Sequence, residues 1–157
     1  MTRVQIMSFV RRGDGTFVEI AGAADHAGEC EYLPGAVSFR VDGTELFGLE
    51  LWDDVNWLWP LMVQVFADCR RSGSGKRWFP DQPISMTAER VSPEHVLVRV
   101  TNGSAINRSA VAPADELFQA LAVAGLHFFG ELHRLCPDSV VDQQEREVLA
   151  SWLGHDA

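Results

Sequence analysis

The sequence predicts an α+β domain: a mainly antiparallel sheet of about five to seven strands covered by two long helices, with a short C-terminal helix. Three observations point there. Alternating apolar runs are grouped in the first two thirds of the chain, and the helical periodicities fall between and after them. The third is size, 157 residues of which 46% are hydrophobic and 22% charged. Strands grouped ahead of helices fit an antiparallel sheet with one face covered. A chain of this length buries roughly 70% of the surface it exposes when unfolded, enough for one core. Residues 1–157 therefore read as a single domain, with no internal repeat.

The elements follow in order. Residues 4–10 are largely apolar, and Arg11-Arg12-Gly13-Asp14-Gly15 supplies turn chemistry for a hairpin with residues 16–21 as its partner. Residues 22–35, with three glycines and Pro34, read as a loop. Val37, Phe39 and Val41 alternate with Ser38, Arg40 and Asp42, the pattern of a half-buried strand. Asp42-Gly43 suits a tight turn with positive φ, after which Phe47, Leu49 and Leu51 resume the alternation. A helix capped by Asp53 or Asp54 is expected to run to about Arg71, with Val55, Leu58, Met62, Val65, Phe66 and Cys69 on one stripe. Pro60 belongs in its first two turns or at a later start, because deep inside a helix it costs about 3 kcal/mol.

Ser72-Gly73-Ser74-Gly75 reads as a flexible connector, and Trp78-Phe79-Pro80-Asp81-Gln82-Pro83 as a rigid extended turn. Ile84, Met86 and Ala88 mark one further strand, and Val96, Val98 and Val100 another, joined through Ser92-Pro93. Residues 105–111 complete the sheet. Pro113 opens a long helix, with Asp115 and Glu116 at its positive end and Leu117, Leu121, Ala124, Phe128, Leu132 and Leu135 at helical spacing. A last helix spans residues 139–153, with Ser139 and Asp142 at capping-box spacing and Gly154 as its stop.

Charge and cysteine content narrow the function. The net charge is −9, which opposes general affinity for nucleic acid. No apolar stretch reaches the roughly 18 residues of a membrane-spanning helix. Met1-Thr2-Arg3-Val4-Gln5 lacks the apolar run of a secretion signal, so a cytoplasmic location is expected. Cys30, Cys69 and Cys136 are odd in number and widely spaced, so reduced cysteines are expected, with Cys69 and Cys136 as apolar filler in helices.

The chemical motifs fail one after another. Ser72-Gly73-Ser74-Gly75-Lys76 resembles the end of a phosphate-binding loop, yet Arg70 stands where glycine is needed and Arg77 where serine or threonine is. His26, His95, His127, His133 and His155 include no His-x-x-x-His pair. His127 and Glu131, one turn apart, read as a surface pair rather than ligands. No Gly-x-Ser-x-Gly elbow exists. Asn102 and Asn107 match the glycosylation pattern without a signal to take the chain to that machinery. No catalytic residue, cofactor or metal is expected.

One constellation remains. Residues 42–54 hold Asp42, Glu45, Glu50, Asp53 and Asp54 with no basic residue, beside Trp52, Trp57 and Trp59, with Trp78 able to fold nearby. Aromatic side chains anchor protein interfaces and charge speeds encounter, so this segment is a candidate partner-binding patch. The competing assignment is tryptophans in the core and acids in solvent.

The stretches Val41-Asp42-Gly43-Thr44-Glu45-Leu46-Phe47, Trp57-Leu58-Trp59-Pro60-Leu61, Phe79-Pro80-Asp81-Gln82-Pro83 and Val111-Ala112-Pro113-Ala114-Asp115-Glu116 resemble a family of small, uncharacterised bacterial α+β proteins. Some of that family are associated with polymorphic toxin systems as immunity proteins. The resemblance spans roughly residues 36–136, its motifs are structural, and it transfers no active-site residue. It implies a non-enzymatic, protein-binding domain whose partner is a basic toxin domain, steered by the −9 charge. Two alternatives stand beside it. One is a small-molecule-binding domain or enzyme with a cleft between sheet and helices, using Asp81, Gln82, His127 and Glu131. The other is an assembly domain that dimerises through a strand edge or a tryptophan patch.

Overall fold

The computed structural model describes residues 3–24, 30–138 and 143–153. Among the described residues, nine strands and three α-helices follow in the order β1 (Val4–Arg11), β2 (Phe17–Glu19), β3 (Pro34–Val41), β4 (Thr44–Phe47), β5 (Asp53–Asp54), α1 (Val55–Ser72), β6 (Ser74–Trp78), β7 (Ser85–Ser92), β8 (His95–Asn102), β9 (Ile106–Pro113), α2 (Ala114–Leu135) and α3 (Gln143–Ser151). The class is α+β and every strand pairing is antiparallel. The expected single sheet is corrected to two. One has the order β2-β1-β3-β4 with β5 also on β3; the other has the order β6-β7-β8-β9. β4 lies alongside β9 without a ladder, and Arg108 on β9 reaches Glu50 across that seam at 2.9 Å.

The two sheets and the helices share one core. Val4 and Val10 of β1, with Val37, Phe39 and Val41 of β3, face the same interior as Met86, Ala88, Val96, Val98 and Val100 of the second sheet. Leu58, Trp59, Met62 and Phe66 of α1, and Leu117, Leu121, Phe128 and Phe129 of α2, fill the space beneath them. Burying one such side chain stabilises the fold by about 1.5–3 kcal/mol. Gly125 lets α2 come close to α1 and α3, since a Cβ there would stand 2.9 Å from the Trp59 ring and 2.5 Å from Leu149 Cδ1.

Several local expectations change. The Asp42-Gly43 turn forms, with φ of 49° and 81°, and exposed Arg3 grips Asp42 through Nε and Nη2 at 2.8 Å each. The alternation through Leu49 and Leu51 does not continue as strand: β4 ends at Phe47, and Leu49–Leu51 is a single 3₁₀ turn. Ser74-Gly75 is no flexible connector. Gly73, at φ 98°, ends α1 by donating its N–H to the Cys69 carbonyl, and β6 begins at once. Pro60 lies within the second turn of α1. Ser139, Asp142, Gly154, His26 and His155 lie outside the described residues. Among the described residues no helix is long and apolar enough to cross a membrane.

The cysteine expectation is overturned. Cys30 and Cys136 form a disulfide, and Cys69 alone is free. The partners are 106 residues apart in sequence, with Cα atoms 5.9 Å apart, so only the tertiary fold could reveal them. Cys69 is buried, and that burial pushes its thiol above the ordinary range, as befits a packing residue.

Candidate functional site

The first turns of α1 carry the most distinctive surface concavity. Trp57, Leu61 and Gln64 recur at helical spacing along one flank, and an open cleft of about 890 Å³ lies over them. Tyr32 lines the cleft from the segment before β3, Asp81 from the β6–β7 loop and Glu145 from the first turn of α3. Asp54, the last residue of β5, lines the same space. The volume lies within the range of ligand-binding clefts.

Two of its walls are fixed by hydrogen bonds. Asn56 is buried: its Oδ1 accepts the Leu33 N–H at 2.9 Å and its Nδ2 donates to the Glu31 carbonyl at 2.9 Å. The Trp57 Nε1–H donates to the same Glu31 carbonyl at 2.8 Å, and the Val55 N–H donates to the Leu33 carbonyl at 2.8 Å. These bonds tie the Tyr32 segment to the start of α1. Asp53 ties down the other side. Its Oδ1 accepts the Asp54 N–H at 2.7 Å and its Oδ2 accepts the Asp81 N–H at 3.0 Å, while Gln82 Nε2 donates to the Trp52 carbonyl at 3.1 Å. Asp53 thus binds two segments together.

Asp54 behaves differently. It stands at the N-cap of α1, yet its side chain makes no capping bond, which corrects the expected role. Among the described residues its carboxylate has no hydrogen-bond or ion-pair partner. Burial, then the neighbouring charges of Asp53 and Asp81, hold its pKa above the usual carboxylate range. Among the described residues no lysine, arginine or histidine lines the cleft. Asn56 and Pro60, which as a proline has no N–H to offer the Asn56 carbonyl, both line the cleft. The cleft is rich in acceptors and negative charge, with the faces of Trp57 (40% exposed) and Tyr32 (53% exposed) beside it. Such a surface attracts cations carrying N–H donors, and aromatic faces add to that attraction.

A raised carboxyl pKa means the folded state favours protonated Asp54. Its charge therefore costs stability above the folded pKa, and that cost disappears below the unfolded pKa. Asp54→Asn, equally suited to an N-cap, is expected to stabilise the protein at pH 7 by about 0.5 kcal/mol, a modest gain because solvent screens the site. The gain should vanish towards pH 3. Thermal midpoints of both proteins across that range check it; identical midpoints at pH 7 would contradict the account.

Searches of protein-family models, of curated proteins and of solved structures find nothing that matches the chain. The site thus rests on its own geometry.

The remaining nominated residues divide. Asp42 is held by Arg3, Glu45 pairs with Arg40 at 3.4 Å, and Glu50 with Arg108. None of these three lines the cleft. Trp52 lies under the Arg11 guanidinium, 4.4 Å from the ring centroid. Trp59 is wholly buried: its Nε1–H donates to Ser8 Oγ at 2.8 Å and its ring stacks on Phe128, so it is unavailable to a partner. Trp78 is 56% exposed on β6, with Lys76 Nζ 5.4 Å from its ring. The structure therefore brings Asp53, Asp54 and Trp57 together and scatters the rest. Tyr32, from a segment read as loop, and Glu145, on the expected last helix, were missed because only the tertiary fold brings them to the cleft.

A second concavity, a groove of about 800 Å³, runs between β1 and α2 along Ile6, Met7, Ala120, Val123 and His127. His127 faces Glu19 at 3.7 Å, and Glu131 pairs with Arg134 at 2.7 Å rather than with His127. Among the described residues, no group of three or more His, Cys, Asp or Glu side chains could hold a metal ion.

Proposed function

We propose that this chain is a non-enzymatic protein-binding domain that takes a basic segment of a partner protein into the Trp57–Asp54 cleft. Asp54 carries the reading. A partly buried carboxylate with no partner among the described residues, set among other acids, costs the fold stability and suits an incoming guanidinium or ammonium group. The −9 net charge adds long-range attraction for such a partner. The family resemblance gives the partner a biological form, a basic toxin domain neutralised inside a bacterial cytoplasm.

The test is titration of an arginine-rich peptide, and of basic toxin domains encoded beside the gene, by calorimetry. Trp57→Ala is expected to weaken binding about 30-fold, the effect of losing a 2 kcal/mol aromatic anchor. Asp54→Asn should slow association and flatten its salt dependence. Binding that ignores both substitutions, or no binding with no protection of cells from any such toxin, would refute the reading.

The four residues named for the small-molecule alternative do not converge: Asp81 and Gln82 belong to the cleft side of the molecule, whereas His127 lines the groove and Glu131 is paired with Arg134. An assembly role keeps one observation in its favour. β2 pairs with the Phe9, Val10 and Arg11 end of β1, so among the described residues no strand covers residues 4–8 on that edge beside the apolar groove. A ligand-free dimer in light scattering, lost on placing a proline at Ile6, would favour that role.

A further inference from the structure

The Tyr32 wall of the cleft is tied to the rest of the molecule in two ways. One is a set of hydrogen bonds: Asn56 Nδ2 and Trp57 Nε1 donate to the Glu31 carbonyl, Asn56 Oδ1 accepts the Leu33 N–H, and the Val55 N–H donates to the Leu33 carbonyl. The other is covalent. Cys30, two residues before Tyr32, is bonded to Cys136, the residue that caps the C-terminal end of α2 by donating its N–H to the Leu132 carbonyl. Two residues earlier on α2, Arg134 Nη2 donates to the Ile20 carbonyl at 3.1 Å, so the same helix end grips the chain on the far side of the loop. The cleft wall thus hangs between α1, through hydrogen bonds, and α2, through a disulfide.

We propose that the Cys30–Cys136 disulfide is a reversible redox clamp that sets the position of Tyr32 and hence the affinity of the cleft for a cationic segment. The proposal rests on the functional reading above for its binding consequence, but not for its structural one. Cys30 is half-buried whereas Cys136 is 1% exposed, so exchange enters at Cys30. The reductant is a dithiol. Its thiolate attacks Cys30 Sγ, the Cys30–Cys136 bond breaks, and Cys136 leaves as a thiolate that takes up a proton. The second thiol of the reductant then attacks the mixed disulfide and releases Cys30, which is protonated in turn. Two electrons and two protons pass to the protein, and the reductant ends as a cyclic disulfide. Cys69, buried and with its thiol disfavoured as thiolate, takes no part.

Reduction removes the covalent tie and leaves residues 31–33 held by the Asn56, Trp57 and Val55 hydrogen bonds and by the buried Leu33 side chain. That segment then samples positions in which Tyr32 no longer walls the cleft. If the competent arrangement falls to about a tenth of the population, apparent affinity falls about tenfold. The device also reconciles the cysteines with the cytoplasmic expectation, because a stapling disulfide persists only in an oxidising compartment whereas a switching one does not need to.

The experiment compares oxidised protein, protein treated with dithiothreitol and the double variant C30S/C136S. Thiol titration of denatured samples should find one thiol per chain before reduction and three after. Hydrogen exchange at the amides of residues 31–33 should accelerate on reduction, and the double variant should match the reduced state and ignore the reductant. An arginine-rich peptide should bind the oxidised form about tenfold more tightly. Three thiols in air-oxidised protein, or unchanged exchange at residues 31–33 after reduction, would overturn the clamp. So would a lower thermal midpoint with peptide affinity unchanged, which marks a staple. An oxidised form that ignores the peptide while residues 31–33 still loosen on reduction would sink the binding function and leave the clamp standing.

Discussion

Trp59→Ala lowers the unfolding free energy by about 3–5 kcal/mol, a large share of the stability of a domain this size. Trp59 is fully buried, stacks on Phe128 at 5.8 Å, meets Phe129 edge-on at 6.3 Å and satisfies Ser8 by hydrogen bond. Truncation opens a cavity where α1, α2 and β1 meet and leaves the buried Ser8 hydroxyl without its donor. Urea unfolding should show a midpoint far below that of the parent with an unchanged slope. Trp57→Ala, two residues away, should change stability by no more than about 0.5–1 kcal/mol, since its exposed ring gives up little packing. A similar loss for both would refute the division between a core tryptophan and a binding one.

Gly35→Ala is the second large effect. A Cβ at this position would stand 2.2 Å from the Phe9 carbonyl oxygen and 2.9 Å from Val55 Cγ1. The first obstacle is backbone of the neighbouring strand and cannot swing aside. Gly35 also pairs with Asp53 of β5, so displacement of β3 reaches Asp53 and through it the Asp54 and Asp81 sides of the cleft. The expected cost is about 3 kcal/mol, at the upper end for overpacking, accompanied by weaker binding of a basic peptide to the protein that remains folded. Chemical unfolding and peptide titration on the same sample check both halves. A thermal midpoint within a degree of the parent would show that β1 and β3 can separate there without penalty.

Local pattern carried part of the fold and the cleft. The ribbon around Asp42-Gly43 was legible because alternation and turn chemistry agree there. β6 was not, because Ser-Gly-Ser-Gly has a linker's composition; Gly75 is required by packing, a Cβ there standing 2.1 Å from the Val65 carbonyl. Division into two sheets was beyond reach, since pairing between strands is a tertiary choice that alternation does not encode. The tryptophans illustrate the same limit. Trp57 and Trp59 sit about 200° apart around α1, so one helix must send them to opposite sides, but which side is core depends on what packs there. Asp54 and Trp57 stood out as a local cluster, whereas Tyr32, Asp81 and Glu145 join them only in space. The disulfide was hidden for the same reason.

The pairing of Val4 and Glu116 has a consequence for how the chain is made. Glu116 Oε2 accepts the Arg3 and Val4 N–H groups, at 2.5 and 3.1 Å, and α2 covers the sheet that β1 starts. On the ribosome the first strands must therefore wait, greasy side bare, until more than a hundred further residues have been polymerised, on the order of ten seconds at cellular elongation rates. Nascent chains stalled before α2 should be held by chaperones and cut readily by proteases, and release of the whole helix should end that vulnerable interval.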